Sequence, residues 1–297
     1  MLVSNPQFPI YIVSKGRYRD EHRKTSLEFD RIGVPYRVVV EEQEFDAYSQ
    51  TIGAEKLLIL DPSYKKKFET LEVGEPCGKT GSGPARNFAW DHSIKEGHAF
   101  HWCMDDNIEY FYRFNENKKI RVSDGTIFRC MEDFVLRYEN IGMAGPEYYF
   151  FIPARKLHKP FRANTRIYSC NLIRNDIRFR WRGVYNEDTD LSLRMLKAGW
   201  CTILFQAFLQ RKMVTQYLPG GNTDEIYKGG TLEKSKMLVR SHPDVAKVVQ
   251  RYGRDHHEVD YSGFTQKLIK KPGIVVPKVD DYGMKLVWLE SGEEIHG

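Results

Sequence analysis

Two adjacent carboxylates follow an apolar segment near the middle of the chain. Residues 100–104 form a first apolar run, Asp105, Asp106 and Asn107 come next, and a second apolar run covers residues 108–112. Short apolar runs rich in aromatic residues are typical of buried strands. Carboxylates at the end of a buried strand need a positive partner, because unpaired charges are costly to bury. Mg²⁺ or Mn²⁺ shared with a diphosphate is one candidate partner, and a plain surface turn is the alternative.

A short basic loop follows the first apolar run of the chain. Residues 8–13 read FPIYIV and lead directly into Ser14, Lys15, Gly16 and Arg17. Glycine lets a ligand approach the backbone closely, and the two cations can meet phosphate groups. The loop lacks the GxGxxG spacing of a dinucleotide site. Taken by itself, it predicts either a phosphate-binding loop or an ordinary basic loop.

A third cluster, of acids, opens a predicted helix in the second half of the chain. Glu187, Asp188 and Asp190 follow Asn186, which is expected to cap the helix. Acids in a first helical turn interact favourably with the helix dipole, so a purely structural role is one interpretation. Three acids within four residues exceed what capping needs, and a carboxylate here can accept a proton from a hydroxyl group. The cluster is therefore a candidate for a catalytic base.

Alternating strand and helix patterns predict an α/β fold around these clusters. Strands are expected at residues 8–13, 36–40, 57–60, 100–104, 108–112, 141–144, 148–152, 170–173 and 200–205. Helices are expected at residues 21–32, 84–96, 124–138, 186–198, 232–239 and 244–252. The first strand–helix–strand unit predicts a parallel, right-handed crossover. Residues 153–169 are expected to form an exposed loop, and the glycine-bracketed residues 219–230 a mobile lid.

The composition is that of a folded and mildly basic protein. The 297 residues are 41% hydrophobic and 29% charged, and the net charge is +5. These values favour a packed core and are compatible with a polyanionic partner. The chain begins without a signal-peptide pattern, and no run approaches the roughly 20 apolar residues of a membrane helix, so we expect a cytoplasmic protein. The cysteines are expected to be reduced thiols, and they are Cys77, Cys103, Cys130, Cys170 and Cys201.

In combination, these segments resemble one family of enzymes. They read YIVSKGR, YRVVVEEQE, GPARN, WCMDDNIEYFYR, YNEDTDLSLRMLKAGW and RDHHEVDY, in this order. The combination is similar to the TET-associated glycosyltransferase family, which occurs in phages and decorates oxidised bases in DNA. The resemblance covers residues 8–262 and implies an α/β fold of the GT-A type with a mixed central sheet. A Rossmann-like nucleotide-binding half (about 1–112) would join an acceptor half (about 113–262) in one domain, and 263–297 would form a tail packed on the body.

The resemblance implies a role for each cluster. Asp188 would be the catalytic base, and Glu187 would bind the sugar or the acceptor. The nucleotide sugar would be bound by Ser14, Lys15, Gly16, Arg17, Glu41, Arg86, Asn87 and Asp105. A Mn²⁺ or Mg²⁺ ion would be held by Asp105, Asp106, Asn107 and one of His256 and His257. For the histidine pair, a partly exposed structural couple is the alternative.

The segment between the two acidic motifs is basic and contains aromatic residues. Basic side chains neutralise phosphates and aromatic rings stack on bases, so this segment is expected to bind DNA. The predicted DNA-binding residues are Arg155, Lys156, Arg162, Arg166, Arg180, Trp181 and Arg182. A hydroxymethyl group on a paired cytosine projects into the major groove, and flipping the base would bring it to the catalytic base. An ordinary solvated surface is the alternative.

The resemblance and the residues together predict a metal-dependent glycosyltransferase. The donor is expected to be UDP-linked, either UDP-glucose or UDP-N-acetylglucosamine, and the acceptor 5-hydroxymethylcytosine in double-stranded phage DNA. In-line attack with inversion is expected, because one well-placed base suffices for it, and retention of configuration is the alternative. The enzyme would act as a monomer in the host cytoplasm and away from membranes. The alternatives are a GT-A enzyme acting on a glycan or protein, a non-catalytic nucleic-acid-binding module, and a metal-dependent nuclease.

Overall fold

A large mixed sheet runs through the folded part of the chain. The computed structural model describes residues 5–73, 79–156, 158–213, 232–251 and 253–276. The predicted lid, the end of the predicted tail (277–297) and Cys77 lie outside these residues. The strands are β1 (Ile10–Val13), β2 (Arg37–Val40), β3 (Leu57–Ile59), β4 (Phe100–Asp105), β5 (Ile108–Asn115), β6 (Lys118–Arg121), β7 (Ile141–Tyr148), β8 (Phe161–Ala163), β9 (Cys170–Arg174), β10 (Cys201–Lys212), β11 (Ala246–Arg251) and β12 (Arg254–Val259). The helices are α1 (Lys24–Ile32), α2 (Phe45–Ile52), α3 (Ser63–Lys66), α4 (Gly83–Lys95), α5 (Thr126–Leu136), α6 (Glu187–Lys197) and α7 (Leu232–Ser241).

The sheet has a parallel half and a mixed half. Its strand order is β3-β2-β1-β4-β9-β7-β10-β5-β6, and β8 pairs with β10 beside this path. Strands β3, β2, β1 and β4 run parallel to one another, whereas β9 is antiparallel to both β4 and β7. Ligands of such sheets bind beyond the carboxyl ends of the parallel strands, so the ends of β1, β2 and β4 set the position of a nucleotide. The prediction of an α/β fold with a mixed central sheet is confirmed.

Both faces of the sheet are covered, which explains the uninterrupted apolar strands. In β4, Trp102 packs in the core on one face and Cys103 in the core on the other. On the first face, Phe29 stacks on Phe111 at a centroid distance of 5.6 Å, and Phe128 meets Phe111 edge-on at 5.0 Å. Side chains alternate between the two faces of a strand, so a strand buried on both faces has no polar alternation.

Two strands of the second half are longer than predicted. The sequence pattern predicts separate strands at 141–144 and 148–152, but β7 is continuous and ends in a 3₁₀ turn, Tyr149–Phe151. Gly145 does not interrupt β7, because its missing side chain lets the strand pass close to β9. A Cβ atom there would lie 2.1 Å from the Cys170 carbonyl oxygen. Strand β10 continues well past residue 205, since it pairs with β7 and β5 along its length.

The predicted exposed loop at 153–169 and the predicted helix at 244–252 are both wrong. The loop contains β8 and ends in a buried stretch that includes Ile167 and Tyr168. The predicted helix is instead β11, which pairs antiparallel with β12. Adjacent β-branched residues favour the strand, and a φ of 70° at Gly253 suits the turn that closes the hairpin. The sequence pattern also fails to predict α2 and β6.

The start of the predicted tail contacts the body of the protein. Asn164 Nδ2 donates to the carbonyl oxygens of Phe264 and Gln266 at 3.0 and 2.9 Å. The amide of Ile269 donates to Asn140 Oδ1 at 2.8 Å. Within the described ranges, no helix has the length and apolar character that crossing a bilayer requires. The cysteines in these ranges, at positions 103, 130, 170 and 201, are free thiols.

Candidate active site

A cavity opens at the carboxyl ends of the parallel strands. Its volume is about 280 Å³, and it is bounded by the ends of β1, β2, β4 and β10 and by the starts of α4 and α6. Most predicted site residues meet here, namely Ser14, Lys15, Arg17, Glu41, Arg86, Asp105, Asp106, Asn107, Glu187, Asp188 and His257. Gly16, Asn87 and His256 are not among the lining residues. The rule that ligands bind at strand ends therefore predicts the position of this cavity, and the ligand-binding roles of its residues stay predictions.

A buried ion pair fixes the loop after β1. Arg17 pairs with Asp106, and both side chains are buried. Ser14 Oγ donates to Asp106 Oδ2 at 2.7 Å and lies 2.7 Å from the hydroxyl of Tyr48, which accepts the amide of Arg17 at 3.0 Å. Burial raises the pKa of Asp106, and this effect outweighs that of Arg17, which lowers the pKa. Asp106 thus joins the first loop to the end of β4.

Glu41 lies at the end of β2 between two lysines. Its Oε1 atom is 2.9 Å from Lys15 Nζ and 2.6 Å from Lys65 Nζ. Burial raises the pKa of Glu41, but its hydrogen bonds with the two lysines outweigh burial, and the pKa falls to about 2. Glu41 is therefore ionised at neutral pH. The amide of Gly16 donates to Glu44 Oε1 at 2.7 Å, so Gly16 shapes the loop from outside the cavity.

Two cations hold Asp105 at the end of β4. Asp105 Oδ1 accepts a hydrogen bond from Arg86 Nη2 at 2.5 Å, and Oδ2 accepts one from Lys212 Nζ at 2.5 Å. Lys212 Nζ also donates to Ser169 Oγ at 2.9 Å. Burial raises the pKa of Asp105, but Lys212 and Arg86 together lower it well below its usual range. Burial lowers the pKa of Lys212, but Asp105 raises it above its usual value, so Lys212 stays charged.

Arg86 stacks on a tryptophan ring and has a buried nitrogen that takes no part in its contacts with Asp105 and Glu187. Its guanidinium lies 4.6 Å from the centre of the Trp181 ring, and Nη1 is buried without a hydrogen-bond partner among the described residues. A buried donor without a partner costs about 1–3 kcal/mol, so a bound anion would satisfy it. Asn87 lies outside the cavity, contrary to prediction, because its side-chain amide exchanges two 2.9 Å hydrogen bonds with the Trp181 backbone. Asn87 thus positions the ring under Arg86.

Helix α6 presents its first two carboxylates to the cavity. Asp188 Oδ1 accepts the amide of Thr189 at 2.7 Å, which holds the side chain in place. Glu187 Oε1 accepts a hydrogen bond from Ser82 Oγ at 3.3 Å and lies 3.7 Å from Arg86 Nη2. Burial raises the pKa of Glu187, Arg86 opposes this shift, and Asp188 adds to it. The two acids therefore differ in their surroundings, because Glu187 contacts Ser82 and Arg86 near the start of α4.

Helix α7 and the β11–β12 hairpin complete the cavity wall. Contrary to the prediction, the side chain of Asn186 does not cap α6. Its Nδ2 instead donates to the Lys234 carbonyl oxygen at 2.7 Å. Lys234 and His257 both line the cavity. Burial lowers the pKa of His257, and with Arg166 and Lys234 nearby the pKa falls to about 4, so the ring is neutral at pH 7. His256 precedes it in β12 and points to the opposite face, because neighbours in a strand alternate.

Asp190, the third acid of the α6 cluster, has a structural role. It is fully buried and is not among the residues that line the cavity. Its carboxylate lies 2.7 Å from Arg194 Nε, 3.1 Å from Arg182 Nε and 2.9 Å from His242 Nε2. Burial raises the pKa of Asp190, but its hydrogen bonds to His242 and Arg182 outweigh burial, and the pKa falls to about 2. The acid joins α6 to the segment before it and to the end of α7.

Replacing Asp190 with Asn is expected to lower the free energy of unfolding by about 3 kcal/mol at pH 7, because buried cations would lose their counter-charge. The pKa of Asp190 is about 2 in the folded protein and about 3.9 in an unfolded chain. Its stabilisation is therefore present above the unfolded pKa and is lost as the pH falls through the folded pKa. Urea unfolding at pH 7 and pH 3 measures the difference, which should shrink at the lower pH. The exposed Asp133→Asn is the matched control, and an equal loss in both variants would contradict this role.

The residues predicted to hold a metal ion do not fit one in this arrangement. The oxygens of Asp105 face Arg86 and Lys212, and those of Asp106 face Arg17 and Ser14. Asn107 Oδ1 is buried without a hydrogen-bond partner among the described residues, but an amide is a neutral ligand. Across the described ranges, no group of three or more His, Cys, Asp or Glu side chains is placed to hold a metal ion. The metal ion remains a prediction, and Lys212 stands beside Asp105 where the ion would be held.

Three of the predicted DNA-binding residues are engaged within the protein. Trp181 is 1% exposed, so its ring is not accessible for stacking on a base, and this prediction is wrong. Its neighbour Arg182 pairs with the buried Asp190, and Arg180 pairs with Asp91 at 3.1 Å. The sequence pattern of alternating cations and aromatic rings arises here from packing around α6 rather than from an open surface.

The other predicted DNA-binding residues lie in two places. Arg166 lines the cavity and donates to Thr189 Oγ1 at 3.2 Å, which places it beside the start of α6. Burial lowers the pKa of Arg166, but Asp188 contributes to a net shift above the usual value. The exposed cations are Arg155, Lys156 and Arg162. These remain predicted DNA contacts.

Lys212 is the main site residue that the sequence analysis does not predict. It ends β10, and the predicted strand stops at residue 205, so its side chain is not assigned to the sheet edge. Charges at the end of a largely apolar run, here Arg211 and Lys212, are a signal similar to the one that identifies Asp105. The register of β10 places both side chains at one edge of the sheet, where their charged groups meet at 2.5 Å.

These features define a class of protein. GT-A-like glycosyltransferases join a parallel, nucleotide-binding half to a mixed half that supplies the acceptor side, and the sheet and cavity of this chain have that organisation. The family model described as TET-Associated Glycosyltransferase matches residues 8–221. The chain belongs to this family and is a glycosyltransferase, which confirms the resemblance inferred from the sequence. No curated protein matched the chain.

The family match ends before the last described elements. It includes β1 to β10 and leaves α7 and the β11–β12 hairpin beyond its end. Lys234 and His257 therefore belong to a part of the cavity wall that the family match does not cover. Residues 254–261, which contribute to the resemblance seen in the sequence, lie outside the range that the family model matches.

Proposed function

We propose that this protein transfers a sugar from a UDP-linked donor to 5-hydroxymethylcytosine in double-stranded DNA. The single observation that carries the donor half is the buried Nη1 of Arg86, which lacks a partner among the described residues. Arg86 lines a cavity at the carboxyl ends of parallel strands, where nucleotides bind. The acceptor half is supported by the family, whose members are expected to modify oxidised bases.

The charges of the cavity support a diphosphate donor. Arg86 and Lys212 flank Asp105, and Lys234 and Arg166 also line the cavity. Seven cationic side chains and five carboxylates line the cavity among the described residues, and the net positive charge that remains attracts phosphate oxygens. We assign the nucleoside to the side of Lys15 and the sugar to the side of α6. UDP-glucose and UDP-N-acetylglucosamine are the two donors proposed.

Asp188 is assigned as the base of a single displacement. It would accept the proton of the hydroxymethyl group while that oxygen forms a bond to the anomeric carbon of the sugar. The bond between the anomeric carbon and the diphosphate oxygen breaks at the same time, and its electron pair stays on the diphosphate. Attack from the face opposite the leaving group inverts the configuration. The proton ends on Asp188 and returns to solvent after product release.

Side chains are proposed to stabilise the departing diphosphate. A metal ion would supply positive charge at the leaving oxygen, which is the chemistry that the resemblance implies. In this chain Lys212 and Arg86 are charged, buried and fixed by Asp105, so they can supply the same charge without reorganising. We therefore propose that sugar transfer needs no divalent ion.

Mass spectrometry of nucleosides tests the proposed function. Duplex DNA that contains 5-hydroxymethylcytosine is incubated with the protein and a panel of nucleotide sugars, digested and analysed. A hexose or N-acetylhexosamine added to the hydroxymethyl nucleoside is the expected product, with unmodified cytosine as the matched control. Transfer to an oligosaccharide or a protein, but not to any DNA, would contradict the acceptor. Cleavage of unmodified DNA with Mn²⁺ would instead indicate a nuclease.

A further inference from the structure

Two adjacent phenylalanines are exposed on the turn that follows β7. Phe150 is 66% exposed and Phe151 60% exposed. Both belong to the 3₁₀ turn Tyr149–Phe151, where the sequence pattern predicts a strand. Single exposed apolar residues are common, but two large rings side by side on one short turn point to an interaction surface.

Packing holds this aromatic turn in one position. The ring of Tyr149 lies 4.7 Å from the ring of Tyr112, and Lys119 Nζ lies 3.8 Å from the Tyr149 ring centre. Lys119 Nζ also donates to the Tyr149 carbonyl oxygen at 2.7 Å. The side chains beside the two phenylalanines are therefore ordered in advance. A fixed turn loses little conformational freedom when it contacts a partner.

The turn begins at the wall of the cavity. Tyr148 lines the cavity, and its hydroxyl lies 2.7 Å from Ser169 Oγ, which in turn accepts a hydrogen bond from Lys212. The ring of Tyr148 contacts that of Phe151 at 5.6 Å and stacks on Tyr168 at 4.5 Å. The ring of Tyr148 would thus lie between the cavity and a molecule that contacts Phe151.

Cations surround the turn. The guanidinium of Arg211 lies 5.9 Å from the Phe150 ring and 6.0 Å from the Tyr110 ring, and Arg121 lies 3.8 Å from the Tyr110 ring. Glu109 pairs with Arg211 at 3.2 Å, and Glu28 pairs with Arg121 at 2.7 Å. Lys156 is exposed a few residues further along the chain. Exposed rings with cations beside them suit a polyanion with stacked bases.

We propose that Phe150 and Phe151 enter duplex DNA beside the target cytosine and occupy the space that the flipped base leaves. This inference rests on the proposed function, because it takes DNA as the acceptor. Apolar side chains that insert between base steps unstack them, and an aromatic ring restores part of the lost stacking. The nearby cations would contact the phosphates on either side. The flipped cytosine would then pass along Tyr148 toward Asp188.

The test compares two DNA substrates with one double variant. Phe150→Ala/Phe151→Ala is assayed on a duplex with one 5-hydroxymethylcytosine and on the same strand without its complement. The single strand needs no opening, so the double variant should lose about tenfold or more of kcat/KM on the duplex only. Ile94→Ala, an exposed apolar residue on α4, is the matched control and should not change either rate. A Phe150→Trp/Phe151→Trp variant should keep duplex activity.

Fluorescence gives a second readout. With 2-aminopurine next to the target base, wild-type protein should increase the emission of the duplex, and the double alanine variant should not. Equal losses on both substrates, or none on either, would overturn the inference while leaving the proposed function intact. If the wild-type protein transfers sugar to neither DNA substrate, the proposed function fails, and the inference fails with it. An unchanged thermal melting curve excludes misfolding of the variant.

Discussion

Asp188→Asn is expected to reduce kcat for sugar transfer by about a thousandfold, within the range for loss of a general base. An amide cannot accept the hydroxyl proton at neutral pH, and the substitution keeps the shape of the side chain. The hydrogen bond from the Thr189 amide to Oδ1 can also be kept, because an amide oxygen accepts it as well. Binding of the nucleotide should therefore change little, and calorimetric titration with UDP measures this separately from the rate.

Two further variants separate the base from its neighbours. Glu187→Gln should weaken transfer less than Asp188→Asn, because Glu187 contacts Ser82 and Arg86 rather than the open part of the cavity. Asp133→Asn removes an exposed acid from α5 and should leave the rate unchanged. If Asp188→Asn transfers sugar at the wild-type rate, the base must be sought elsewhere, and the assignment of α6 to the acceptor side would be wrong.

The parts of the site that follow from local pattern could be predicted from the sequence. Strands buried on both faces read as apolar runs, and the charges that follow such runs in a parallel sheet share one edge. This reasoning brings Ser14, Glu41 and Asp105 to one cavity. The family resemblance added Asp188, which lines the same cavity, and its role as the base stays a prediction.

The parts that depend on distant partners could not be predicted. In the sequence, Trp181 and Arg182 look like an exposed basic and aromatic segment. In the structure, the Trp181 backbone hydrogen-bonds to Asn87, and Arg182 pairs with the buried Asp190. Asn87 is distant from Trp181 along the chain. The helix-start pattern assigns Asp190 to the acidic cluster rather than to a pair with Arg182. The same holds for Phe150, where an apolar run predicts a strand although the chain turns outward after β7. Local pattern cannot distinguish a buried ring from one that is exposed for a partner.

Lys212→Met is expected to reduce kcat by about a hundredfold or more, which is the typical effect of removing one donor that stabilises a developing negative charge. The ammonium group is held at 2.5 Å from Asp105 and 2.9 Å from Ser169, so it is already in position when the diphosphate departs. Lys212→Arg keeps the charge and should recover part of the rate. Lys118→Met, at an exposed position of β6, is the matched control.

Chelation distinguishes the lysine from a metal ion. If Lys212 and Arg86 supply the positive charge, wild-type transfer should be the same in EDTA as in Mn²⁺, with the rate measured by nucleoside mass spectrometry. Lys212→Met leaves Asp105 without its second cation, and this vacated carboxylate oxygen is a ligand of the kind that Mn²⁺ accepts. The variant should therefore gain activity with Mn²⁺ although the wild-type protein does not. A wild-type enzyme that is inactive in EDTA and restored by Mn²⁺ would show instead that the ion displaces Lys212 from Asp105.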